Sequence, residues 1–86
     1  MSAIDAETRR RWRQHPSESV SILVRVAGDV MERSVSLEKI GLDIKRRYRL
    51  TSTVSGTCTA RVALKVASLS WVTAVETDRR LHILGR

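Results

Sequence analysis

The chain has no phenylalanine, two tryptophans and one tyrosine among its 86 residues. A core without large aromatic groups must be packed from Val, Leu, Ile and Ala. A domain this short buries only about 60% of the surface its unfolded chain exposes. Low stability, on the order of 5 kcal/mol or less, follows, and a partner that binds only the folded state would raise it. The single cysteine, Cys58, excludes an internal disulfide framework. With no histidine near it in sequence to activate the thiol, Cys58 reads as a small hydrophobe. No apolar run approaches the ~20 residues of a membrane span. The polar N-terminus has no signal-peptide pattern, and no repeat or low-complexity segment occurs. One soluble, cytoplasmic domain is the expectation.

Groups that carry chemistry are also sparse. His15 and His82 have no metal-ligand partner at useful spacing. There is no Cys-x-x-Cys, no His-Glu-x-x-His and no phosphate-binding glycine loop. The acids are scattered, and Glu76 and Asp78 stand two apart instead of facing each other across a pocket. The chain therefore reads as a non-enzyme with no catalytic residues, no metal and no cofactor.

What the chain does have is positive charge: 16 Lys and Arg against 9 Asp and Glu, a net +7. That balance suits an acidic partner. Arg9, Arg10, Arg11 and Arg13 surround Trp12, and Pro16, Ser17 and Ser19 separate them from the rest of the chain. Residues 1–19 read as a basic, mobile arm or a short frayed helix. The sharper alternative is an anchor for nucleic acid or a membrane surface, with Trp12 as the stacking or interfacial group.

Beyond the arm the pattern becomes periodic. Val20, Ile22, Val24 and Val26 alternate with more polar residues, which predicts a strand over 20–27. Asp29 is placed to cap a helix over 30–40, and Gly41 to end it. Leu42, Ile44, Tyr48 and Leu50 alternate with Asp43, Lys45, Arg47 and Arg49, with Arg46 interrupting the apolar face. This predicts a second strand with a basic outward edge. Thr51, Ser52 and Thr53 suit a turn. Residues 54–58 form a small-residue strand in which Gly56 implies a bulge or a close backbone approach. Thr59 then caps a helix whose stripe is Val62, Val66 and Leu69. Residues 71–75 complete a fourth strand. Ile22, Val24, Val62, Val66 and Leu69 are the expected core. The order strand, helix, strand, strand, helix, strand is that of the α+β ferredoxin-like split βαβ fold, an antiparallel four-stranded sheet with two helices on one face. An RNA binder on this fold stacks bases on aromatics of its central strands, and neither central strand contains one.

Three segments together resemble a subtilisin propeptide. They are the opening strand Ser21-Ile22-Leu23-Val24-Arg25-Val26, the small-residue strand Val54-Ser55-Gly56-Thr57-Cys58-Thr59, and the ending Val72-Thr73-Ala74-Val75-Glu76-Thr77-Asp78. The likeness spans about residues 20–84, with a domain over 20–80 and an extended tail over 81–86. It implies a free-standing member of the subtilisin propeptide-type peptidase inhibitor family, whose partner is a subtilisin-like serine protease. On that resemblance the open face of the sheet docks on two surface helices of the protease. Glu76 and Asp78 then cap the N-termini of those helices, where unpaired N–H groups and the helix dipole favour carboxylates. The tail adds a strand inside the substrate cleft. Leu81 would enter an apolar pocket upstream of the cleaved bond and Leu84 the primary pocket. His82 and Ile83 would lie between, with Ile83 towards the catalytic residues. Gly85 and Arg86 extend past the usual family end, so Arg86 is an alternative occupant of the primary pocket. Arg46, Arg47, Arg49, Arg79 and Arg80 would steer encounter with an acidic protease. Acting in trans, such a domain is an inhibitor or a separately encoded folding chaperone. The rival reading is a nucleic-acid-binding or protein-interaction module that uses the basic arm and residues 45–49.

Overall fold

Val20, Ile22, Val24 and Val26 are all buried in the computed structural model, and the residues between them are partly or fully exposed. The structure describes residues 3–77. In chain order its elements are α1 (Ala6–Gln14), β1 (Ser19–Val26), α2 (Val30–Ile40), β2 (Asp43–Tyr48), β3 (Thr53–Thr59), α3 (Ala60–Ala67) and β4 (Val72–Thr77). The strands form one sheet in the order β2-β3-β1-β4, and every neighbouring pair is antiparallel. β1 and β3 occupy the centre, with α2 and α3 on one face. This is the ferredoxin-like α+β arrangement, with α1 as an additional element before it.

The helix boundaries follow from their caps. The Asp29 carboxylate accepts the Glu32 N–H at 3.3 Å, and the Thr59 hydroxyl accepts the Val62 N–H at 3.3 Å. Gly41 ends α2 at φ 127°, a conformation that suits glycine, and its N–H bonds the carbonyls of Leu37 and Glu38. Ile22, Val24, Leu37, Val54 and Val66 are fully buried between sheet and helices. Val62 and Leu69, both expected in the core, are partly buried against it. Gly56 answers to a close approach: a Cβ there would stand 2.5 Å from the Asp43 carbonyl oxygen on β2.

The N-terminal stretch differs from the expected arm. Residues 6–14 are helical and packed on α3, and Trp12 is only 4% exposed. The Asp5 carboxylate caps α1 by accepting the Thr8 N–H at 2.7 Å. Hydrogen bonds from Thr8, side chain first and backbone second, hold that carboxyl below its ordinary pKa. The connection onward is structural too. The Pro16 carbonyl accepts from Arg61 N–H at 3.0 Å and the Glu18 carbonyl from Ala60 N–H at 2.8 Å. With Thr59 they satisfy the leading amides of α3, which have no partner inside the helix. On the edge strand β4, Val75 N–H donates to the Ala3 carbonyl at 3.1 Å. Residues 3–18 are thus tied by backbone hydrogen bonds to β4 and to the start of α3.

The alternation expected along β2 also fails midway. The β2–β3 register shifts between Ile44 and Arg46, leaving Lys45 as the extra residue of a bulge. Ile44 lies opposite Gly56 on the helix side and Arg46 opposite Ser55 on the other. Arg47 lies opposite Val54 on the helix side again. Leu50, expected on the apolar face, lies in the turn after β2 and is fully exposed.

Candidate functional site

Residues that pair across a sheet point to the same side, and neighbours along a strand point to opposite sides. The register therefore defines the face opposite the helices. β1 contributes Ser21, Leu23 and Arg25, β3 contributes Thr53, Ser55 and Thr57, and β4 contributes Ala74 and Glu76. β2 adds Asp43, Arg46 and Tyr48. Among the described residues no helix packs on this face. Its middle is made of small side chains around a half-buried Leu23, and Ser55 is only 4% exposed. Its charges stand at the rim. The middle is thus flat and nearly uncharged, the composition of a surface that another protein can cover without stranding a charge.

Glu76 lies on this face, exposed, opposite Leu23 and next to the end of β4. Arg46 lies on the same face at the opposite edge of the sheet and is also exposed. Arg49 lies in the turn after β2. Arg47 is separated from both, because the bulge turns it towards α2. There its Nε donates to the Ser34 hydroxyl at 2.8 Å, and its Nη2 stands 3.5 Å from the Glu38 carboxylate. Its charge is compensated locally, so of Arg46, Arg47 and Arg49 it is the least available to a partner. Asp78, Arg79, Arg80, Leu81, His82, Ile83 and Leu84 lie outside the described residues, as do Gly85 and Arg86.

The basic residues of α1 have a different setting from the one expected. Arg11 pairs with Glu18 at 3.3 Å, and Arg9 and Arg13 border a groove of about 260 Å³ between α1 and α3. Trp12 points into the core and cannot stack on a base. A signal for this helix was present in its charge order: Asp5 and Glu7 at the start, Arg11 and Arg13 in the last turn, which complements the helix dipole.

Cys58 is partly buried on the helix side of β3, and burial pushes its thiol up to about 11. A thiol this hard to ionise is a poor nucleophile at neutral pH. Among the described residues, no three His, Cys, Asp or Glu side chains stand close enough to share a metal ion. No helix there is long and apolar enough to cross a membrane. Comparison with known proteins returns no matching family model, no matching curated protein and no matching solved structure. The functional reading therefore rests on the chain's own residues.

Proposed function

We propose that this protein is a non-catalytic docking domain for a subtilisin-like serine protease. It lays the open face of its sheet on the enzyme and delivers residues 81–84 to the substrate cleft as an inhibitor or folding partner. The observation that carries this reading is the uncovered, nearly neutral sheet face with the Glu76 carboxylate at its rim, on the strand that leads directly into the tail. A carboxylate at that place is suited to the N-terminus of a partner helix, where it gains charge-assisted hydrogen bonds from unpaired amides. The apolar sequence of the tail is suited to strand addition, with main-chain bonds for affinity and alternate side chains for specificity.

The test is inhibition of a broad-specificity subtilisin by the purified full chain, followed over time with a small peptide substrate. The expected result is stoichiometric inhibition, lost when residues 81–86 are deleted and weakened by Glu76→Gln. Persistent inhibition identifies an inhibitor, and inhibition that decays as the chain is digested identifies a folding partner. If the truncated chain inhibits as well as the full one, the tail mechanism is wrong.

A further inference from the structure

The exposed large hydrophobic side chains among the described residues are Met31, Val35, Tyr48 and Leu50. They belong to two neighbouring elements, α2 and β2 with its turn. Residues of an α-helix advance 100° each. Val30, Ser34 and Leu37 face the sheet, and Glu38 leans towards β2, where it meets Arg47. Met31 falls on the same flank of α2 as Glu38, and Val35 lies further round towards solvent. β2 is the edge strand on that side. One margin of the molecule thus gathers all four apolar groups. The opposite margin, with β4, α3 and α1, contributes none of them.

The same margin is positively charged. Lys45 is held by Asp43 at 2.9 Å and Arg47 by Glu38. Arg46 and Arg49 have no ion-pair partner among the described residues. A bulged, cationic edge strand resists pairing with a second copy of itself. Leu50 stands clear of the surface at the turn, its exposure that of an isolated side chain at 102%. A projecting apolar group flanked by arginine is matched by a soft anionic medium that admits the side chain and neutralises its neighbours. We propose that the α2–β2 margin is a peripheral binding site for anionic lipid bilayers, with Leu50 inserted below the headgroups and Arg46 and Arg49 on the phosphates. Tyr48 lies at the interfacial level, where an aromatic ring with a polar tip is favoured. The site shares Arg46 and Tyr48 with the open face of the sheet but uses neither Glu76 nor residues 81–86, so it does not rest on the protease reading.

The experiment is co-sedimentation of the full chain with vesicles of phosphatidylcholine alone and of phosphatidylcholine mixed with phosphatidylglycerol. Binding is expected for the mixed vesicles only, and should weaken as salt rises. Arg46→Gln with Arg49→Gln should lose about 30-fold in partitioning, since each surface arginine contributes about five-fold. Leu50→Ser should lose about ten-fold. Arg9→Gln with Arg13→Gln removes the same charge from α1 and should change partitioning less than about three-fold. All three sites are outside the buried core, and circular dichroism checks that each variant is folded. No binding to mixed vesicles would overturn the proposal. So would equal losses in the two double variants, or no loss with Leu50→Ser. Equally tight binding to heparin would assign the margin to soluble polyanions and overturn it as well.

Discussion

Along β1 alternate side chains meet two different environments. Ile22 and Val24 are fully buried under the helices, while Ser21, Leu23 and Arg25 face the uncovered side of the same strand. The inner face is aliphatic and closed by α2 and α3. The outer face is small and polar, with one leucine and a rim of charge. The difference separates two kinds of selection on one element. Inner residues determine whether the domain folds, and outer residues are free to determine what it meets. A substitution should therefore move stability or binding according to the parity of its position, and this can be tested.

The largest effect is expected at the inner layer. Trp12→Ala removes the one buried aromatic of α1 and should cost about 3–5 kcal/mol, with Ile22→Ala at about 2–5 kcal/mol, read from urea denaturation. In a domain of this size either is enough to unfold much of the population. Deleting residues 1–17 removes Trp12 together with the Pro16 cap of α3, and the chain should fail to fold cooperatively. If the deletion left stability unchanged, α1 would be an appendage and not part of the inner layer. Next comes Gly56→Ala, where the new methyl group meets the Asp43 carbonyl oxygen. It should cost about 1–3 kcal/mol by overpacking the β2–β3 approach.

Leu23→Ser, on the outer face, should change stability by about 1 kcal/mol or less and still weaken protease association. A large stability loss there with association unchanged would break the contrast between the faces. The smallest effect is at Cys58. Its thiol is raised from 9.0 to about 11 in the folded chain. The uncharged form is favoured by folding, so this contribution to stability is complete below pH 9 and is lost as pH rises towards 11. Subtracting the pH profile of Cys58→Ala from that of the parent should leave a shallow decline confined to that window.

Six of the seven elements were legible in the sequence from apolar periodicity, helix caps and turn residues. The valines of β1 gave period two, Asp29 and Thr59 supplied caps, and Gly41 closed α2. α1 was harder to read because its burial rests on one tryptophan, with Ile4 preceding it, and four arginines outweigh them in any composition average. The arginines of β2 were misassigned for another reason. A bulge reverses the parity of everything after it, and nothing in Lys45-Arg46-Arg47 announces which residue is the extra one. The pairing partners decide that: Ser34 and Glu38 on α2 receive Arg47, and Arg46 is left outside. The outer face itself was legible only as the complement of the inner one, since small polar residues carry little pattern of their own.

The contact between α1 and α3 also has a consequence for synthesis. Of the described elements α1 leaves the ribosome first, yet α3, on which it packs, comes five elements later. Growing from its N-terminus, the chain carries an unburied tryptophan until α3 is made, and contacts this distant in sequence are the slow ones to close. The order of birth and the order of packing are thus opposed. α1 can be set in place only after α3 has emerged.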